Sequence, residues 1–384
     1  MTQSDTAWRA AIEATLERSA NVGELAGGLV IVWHGGDVAL NVAVGECDIA
    51  GGIAMGGDAI FQIASMTKPI VSVAALQIVE EGTIKLNDPI ERWLPELGDR
   101  RVLDDREGSL ARTHAATRPI TVDDLLTHRA GFGYAFAEKG PIAPALERTL
   151  GNVLHLKMDS NEWLLALGSL PLLSDPGAQF IYGHSTEVLG CLIARIDGVT
   201  LGESLRRRVL EPLGMSDTAF YVPVDKRTRL AHMYRRVDNR LEDATDAPDA
   251  PPLFEAGGGG LYSTANDYLA FSRMFLEEGR VGGARLLSKA MCQCMTQNHL
   301  TMDQRARARP LVNRISFSTV ASVTGSKSSS TRALHSWPPP ARSVGAEFLA
   351  PAGASIEPTI SSSCFSRKIL PTYRPVPSGV SPAK

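Results

Sequence analysis

The 384-residue chain has little of what marks several large functional classes. Its five cysteines, Cys47, Cys191, Cys292, Cys294 and Cys364, are odd in number and lack paired spacing, so no disulfide framework is implied and a reducing compartment is expected. Basic excess is absent: the formal net charge is -3 and the pI is about 6.3, which gives neither nucleic acid nor an anionic membrane surface a reason to bind. No stretch reaches the roughly 20 apolar residues needed to span a bilayer. Met1 to Glu24 scatters charges through its apolar positions instead of forming a signal peptide. The sequence therefore points to the cytoplasm, without a membrane partner. Eight scattered histidines and Cys292-Gln293-Cys294 have no recognised metal-ligand spacing, so neither a metal nor an organic cofactor is expected.

What is present is the composition of a globular protein, 44% hydrophobic and 21% charged, enough to bury a large core. Thr6 to Arg18 carries Trp8, Ala11, Ile12 and Leu16 at helical spacing. Gly27 to His34, then Gly35-Gly36, then the alternating run Val38 to Val44 predict a β-hairpin whose turn needs positive φ. A helix is expected from Ser65 to Val79, with Pro69 tolerated in its first turn and Gly82 as its stop. Another starts at Thr121, a candidate N-cap ahead of Asp123 and Asp124. Helical segments continue to about Leu213, and one more is expected from about Thr264 to Glu278.

The strongest chemical signal is Ser65-Met66-Thr67-Lys68. One helical turn sets the hydroxyl and the amine on one face. An alcohol attacks a carbonyl poorly until something takes its proton, and a desolvated amine in positive potential can do so. A helix N-terminus supplies that potential and presents N–H groups to a developing oxyanion. The pattern by itself is weak, since Ser381 to Lys384 repeats it at the end of the chain without context, and its plain alternative is a helix cap with a solvated lysine.

Context strengthens it. Phe61-Gln62-Ile63-Ala64 leads into Ser65-Met66-Thr67-Lys68, followed by Leu86-Asn87-Asp88-Pro89 with Trp93-Leu94-Pro95. Later come Leu125-Leu126-Thr127-His128-Arg129-Ala130-Gly131, then Glu211-Pro212-Leu213-Gly214-Met215, then Gly257 to Gly260 with Leu261-Tyr262-Ser263-Thr264. Over most of residues 20 to 310 the chain resembles the serine β-lactamase and penicillin-binding-protein superfamily, in its class C-like esterase branch. That resemblance implies an α+β fold, an antiparallel β-sheet flanked by helices plus a mainly helical subdomain. It implies a serine hydrolase acting on a small-molecule ester or β-lactam through an acyl-enzyme on Ser65.

The resemblance also supplies partners for the nucleophile. The family's second motif, Tyr-x-Asn or a variant, aligns with Tyr182-Gly183-His184, making Tyr182 a proton carrier between Ser65 and the leaving group. His184 stands where the lactamases carry Asn, which favours an ester over a lactam. Tyr134 matches a tyrosine lining the cleft in the esterase-like members, and Tyr134 and His184 are the expected substrate-binding residues. A packed aromatic is the bland alternative for each tyrosine. Gly257 to Gly260 reads as a tight turn near the cleft, since a phosphate loop's Lys-Ser or Lys-Thr is absent. Gly183 to Glu187 fails as a Gly-x-Ser-x-Gly nucleophile elbow because it ends in glutamate.

After about Asn313 the composition changes. Residues 314–384 hold 16 Ser, 9 Pro, eight Lys and Arg, and only Glu347 and Glu357 as acids; that is +6, leaving -9 on the preceding residues. Residues 1–313 are expected to form an incomplete hydrolase domain and 314–384 a disordered, aberrant tail, with the C-terminal strands missing. The family's third motif, Lys or His then Thr or Ser then Gly, or Trp-Gly-Gly, has no match after residue 300. Shifting the reading frame restores one: the codons of Ser343 to Glu347 permit Gly-Trp-Gly-Gly, and those of Ser355 to Lys368 permit an apolar strand. A frameshift near residues 310 to 317 is thus expected, along with weak folding and impaired activity. Two other readings stand beside this one, a catalytically inactive binding protein that keeps the penicillin-binding shape, and a peptidase acting on cell-wall peptides.

Overall fold

The computed structural model describes residues 3–238, 240–312, 344–348 and 359–360. Helix α1, Gln3–Asn21, contains the expected amphipathic segment and leads into strands β1, Gly27–His34, and β2, Asp37–Asp48. These pair antiparallel about a turn at Gly35 and Gly36, whose φ values of 65° and 101° only glycine adopts freely. Two-residue β3, Ile53–Ala54, continues the sheet beyond β2. Leu29, Val30 and Ile31 of β1 are buried, whereas most of β2 is only half covered. β1 is therefore the strand around which this half of the core condenses.

After β4, Ile60–Gln62, a single turn at Ala64–Met66 runs into α2, Thr67–Glu80. Every α2 residue from Thr67 to Val71 is buried, as are Val73 to Leu76 and Ile78. A helix apolar on all sides belongs in the middle of a core, and α2 carries its first turn to the edge of that core. Gly82, at φ 77°, ends the segment as expected.

The helical layer comprises α3, Val122–Leu126, α4, Ile142–Leu150, α5, Ser160–Gly168, and α6, Ser185–Asp197. The Thr121 side chain accepts from the Asp124 N–H, and the Asp124 carboxylate accepts from the Thr121 N–H, a capping box. Asp159 and Glu162 repeat this ahead of α5. Strand β5, Tyr262–Thr264, pairs with β4 and passes directly into α7, Ala265–Leu276, capped by Thr264. That pairing brings the glycine turn beside the start of α2. The main chain of Leu261 accepts from the Ile63 N–H at 3.0 Å, and the Leu261 N–H donates to the Thr67 hydroxyl at 3.1 Å.

The fold is the expected mixture of antiparallel sheet and helices, with a difference at the C-terminal end. The C-terminal strands are not wholly missing. Val344–Phe348, β6, pairs with β1 over five residues, and Thr359–Ile360, β7, pairs with β6, giving the order β7-β6-β1-β2-β3. The physical reason is that a strand edge binds through N–H and C=O groups that any sequence carries. An extended segment can therefore occupy the free edge of β1 whatever motif it lacks. The rest of the expected tail lies outside the described residues.

Candidate active site

Ser65 sits in the single turn before α2, and the residue before it, Ala64, has φ 43°. A non-glycine residue in the left-handed region costs about 1 kcal/mol or more, and this kink turns the serine toward the glycine turn. Lys68 follows on the same face and is 7% exposed. Its Nζ donates to Ser65 Oγ at 3.1 Å, to the Tyr182 hydroxyl oxygen at 3.0 Å and to the carbonyl oxygen of Gly258 at 2.6 Å. Three oxygen atoms thus surround the amine, as many as it could serve with three protons. Ser65 Oγ and the Tyr182 hydroxyl lie 2.6 Å apart, and either can be the donor. The three side chains close a triangle of hydrogen bonds.

Tyr182 is buried just before α6, and its ring lies 4.8 Å from Lys68 Nζ. The Ile181 N–H donates to the His128 carbonyl at 2.8 Å, tying this segment to the loop after α3. Gly183 completes the tie by having no side chain, since a Cβ there would lie 2.2 Å from the Phe132 carbonyl oxygen.

The Tyr134 ring meets that of Tyr182 edge-on at 5.2 Å, with Lys68 Nζ 5.7 Å from its centroid. Its hydroxyl turns away from Ser65 and donates to Glu187, 2.9 and 3.0 Å from the two carboxylate oxygens. Burial pushes the Tyr134 hydroxyl well above its ordinary value, and the neighbouring carboxylate adds to the effect. Glu187, in the first turn of α6, is 1% exposed. Burial leaves its carboxyl group raised above the ordinary value, an effect that Lys68 and the Tyr134 hydroxyl offset only in part.

His184 stands just before α6. Its buried ring packs edge-on against Tyr134 at 4.5 Å and Trp163 at 5.5 Å, and Nδ1 has no hydrogen-bond partner among the described residues, the nearest carboxylate oxygen being Glu187 Oε2 at 4.0 Å. Desolvation, with Lys68 nearby, holds it down to about 3, so the ring is neutral. His128, half-buried as a residue and held near 3 by the same causes, packs on the Tyr182 ring at 5.3 Å.

Ser65, Lys68, Tyr182 and Tyr134 are thus brought together from segments 117 residues apart in the chain. Sequence reasoning missed Glu187 and the Gly258 carbonyl. The signal for Glu187 was the acidic residue that spoiled the nucleophile elbow. For Gly258 it was the glycine turn, which supplies a ligand for Lys68 as well as a bend.

A serine, a lysine and a tyrosine in mutual contact at the head of a buried helix, on an antiparallel sheet covered by helices, define a serine hydrolase of the β-lactamase and transpeptidase fold. The chain belongs to the Beta-lactamase family, whose model matches residues 12–310. Its function is accordingly of the serine hydrolase or acyl-transfer type. Protein Rv1367c of Mycobacterium tuberculosis is 42% identical over 296 residues, covering 76% of this chain and 73% of that one. Esterase EstB of Burkholderia gladioli is 31% identical over 278 residues, 68% of each chain. Among solved structures, EstCE1, a hydrolase with promiscuous acyltransferase activity, shares the fold with a TM-score of 0.69 at 23% identity, covering 80% of this chain and 81% of its own.

Proposed function

We propose that this chain cleaves a small carboxylic ester through an acyl-enzyme on Ser65. The observation that carries the reading is the closed triangle of Ser65, Lys68 and Tyr182, in which every side chain is within 3.1 Å of the other two. Ser65 Oγ attacks the ester carbonyl as its proton passes to the Tyr182 oxygen and the Tyr182 proton passes to Lys68 Nζ, which reacts as the free amine. The proton then goes to the alkoxide leaving group as the C–O bond breaks. Water, or an acceptor alcohol in an acyl-transfer reaction, attacks the acyl-enzyme by the same route in reverse. The backbone N–H of Ser65 serves the oxyanion.

An ester is favoured over a lactam because His184 stands where the lactamases carry an amide. EstB, an esterase by name, supports the same choice. Ser65, Lys68 and Tyr182 are the catalytic residues of this proposal, and Tyr134 lines the substrate site. A chromogenic acetate or butyrate ester and a chromogenic cephalosporin, each given to the wild type and to Ser65→Ala, test it. Ester turnover lost in the variant supports the proposal; equal rates in both proteins would sink it.

The second reading, an inactive binding protein, is favoured by the sequence of β6, Val344-Gly345-Ala346-Glu347-Phe348, which does not contain the third motif. We attribute this to a shifted frame beginning near residues 310 to 317, with residues 1–313 as the hydrolase domain. Sequencing the encoding DNA decides the point, and an intact frame there removes the idea. The four described cysteines are free, consistent with the cytoplasmic setting we assign, which cell fractionation checks.

A further inference from the structure

One buried charge has no part in the chemistry above. Glu187 is nearly sealed from solvent, and both of its oxygens accept from one Tyr134 hydroxyl. A buried carboxylate persists only where opposite charge and donors compensate for the lost water. Tyr134 supplies the donor and Lys68 the charge. Gly258 marks how closely the carboxylate approaches the lysine's support. Its carbonyl takes the third Lys68 proton, and a Cβ on it would lie 2.1 Å from Glu187 Oε1. Glu187 therefore touches the residue that seats Lys68 and also the residue whose ring abuts Tyr182.

We propose that Glu187 is a positioning residue: its carboxylate is the counter-charge of Lys68 and the anchor of Tyr134, and through both it sets the pH at which Ser65 becomes nucleophilic. The inference rests on the reading of Ser65, Lys68 and Tyr182 given above. The titratable groups around Glu187 are Lys68 on α2, Tyr134 on the loop after α3, His184 with Nδ1 4.0 Å from Oε2, and Cys191 further along α6; beyond Tyr134 lie Tyr182 and, against its ring, His128. Both histidines are neutral near and above pH 5, since each is held near 3. Burial pushes the Cys191 thiol up to about 12, and Tyr134 stays protonated. That leaves Lys68 as the only cation in the set. Its charge favours ionised Glu187, and such coupling is mutual, so the carboxylate holds the site's proton in place.

The test is the rate at which an alkyl fluorophosphonate phosphonylates Ser65 in the full-length chain, followed by intact mass from pH 5 to 10. Fluoride leaves as the serine oxygen bonds phosphorus, so the readout does not depend on deacylation. Glu187→Gln keeps the shape and an acceptor for Tyr134 while removing the charge. Its acid-side fall in rate should move to lower pH by about one unit. Tyr134→Phe, which leaves the charge in place, should slow labelling several-fold and move the fall by much less. A Glu187→Gln profile superimposable on the wild type would overturn the proposal. Should that variant not fold, Glu187→Asp, which draws the carboxylate back toward α6, must move the fall in the same direction by a smaller amount, and an unmoved fall would overturn it equally. Labelling that persists in Ser65→Ala, or a wild type that is never labelled, would instead bring down the Ser65 reading and this inference with it.

Discussion

The carbonyl oxygen of Gly258 accepts a 2.6 Å hydrogen bond from Lys68 Nζ across 190 residues of sequence. A carbonyl cannot donate, so this contact fixes one lysine proton as outward-bound and leaves the other two for Ser65 and Tyr182. Lysine is a flexible side chain, and three acceptors at known positions convert it into an aimed one. The glycine matters because the peptide must lie against the Glu187 carboxylate to bring its oxygen here.

Gly258→Ala is accordingly expected to be far more damaging than its single methyl suggests. The new Cβ would overlap Glu187 Oε1 at 2.1 Å, so either the peptide or the carboxylate must move. Overpacking of this kind costs about 1 to 3 kcal/mol, and a lysine displaced by even 1 Å costs about a hundredfold in rate. Ester turnover should fall by roughly that factor while the melting temperature drops by a few degrees. Turnover near that of the wild type would mean that the carbonyl does not aim Lys68.

Tyr182→Phe removes one oxygen and keeps the ring that packs between Tyr134 and His128. Folding should change little, because the ring and its packing are kept. The proton path from Ser65 is cut, and general acid–base contributions of this kind are about 100- to 10,000-fold. Stopped-flow or steady-state kcat on an activated ester measures the loss. Rescue of an activated aryl ester relative to an alkyl ester would assign Tyr182 to leaving-group protonation.

Phe136 is 76% exposed, yet its ring lies nearly parallel to that of Tyr134 with centroids 5.0 Å apart. An apolar face left open beside the candidate cleft is suited to the hydrocarbon part of an ester. Burying a phenyl-sized surface contributes about 1.5 to 3 kcal/mol, and 1.4 kcal/mol is tenfold in binding. Phe136→Ala should raise KM about tenfold for an aryl or long-chain ester and leave KM for an acetate within about twofold. Equal effects on both substrates would place Phe136 outside the substrate path.

A pH effect on stability should come from His114, on the short strand Thr113–Ala115. Its Nδ1 lies 2.8 Å from Asp104 and its Nε2 3.4 Å from Asp175, so the imidazolium has a carboxylate at each nitrogen. Its ordinary value near 6.5 is raised, chiefly by the Asp104 bond and then by Asp175. A raised cation stabilises the fold fully below about 6.5, and the contribution fades as pH climbs through the raised value. The pair is solvent-exposed, so the effect is small. His114→Asn should melt about 1 to 3 °C below the wild type at pH 5.5 and together with it at pH 9. A gap that grows with pH would contradict the assignment.

Some of this was legible because it is local. Ser65 and Lys68 needed only the helical repeat, and the N-caps at Thr121 and Thr264 needed only residue chemistry within one turn. Tyr182 was placed by resemblance, since nothing in its own neighbourhood distinguishes it from a packed aromatic. Glu187 was invisible as a partner because its meaning depends on a tyrosine 53 residues earlier arriving at the same buried spot. His184 was placed by the same resemblance, and its contacts with Tyr134 and Trp163 bring together residues that sequence spacing could not relate. The strand β6 could not be anticipated from side chains, because main-chain pairing with β1 selects for extended backbone and little else.

That pairing sets up the last prediction. β6 spans Val344–Phe348, and a displaced frame can spell Gly-Trp-Gly-Gly across the codons of Ser343 to Glu347, so the substituted motif would fall on the strand that already lies beside β1. Main-chain pairing is indifferent to which frame is read, but the cleft is not. The Ser65 N–H can give one bond to an oxyanion, and a second must come from a strand held in register. Restoring the frame near residues 310 to 317 should therefore raise kcat/KM for an ester by about 100- to 1,000-fold, the usual worth of one oxyanion donor. It should also raise solubility, the weak folding expected of the present chain being attributed to the altered tail. The comparison is made on two proteins expressed side by side, each paired with its own Ser65→Ala control. Identical rates would show that the activity needs nothing from this strand, and would remove the reason for reading the present tail as damaged.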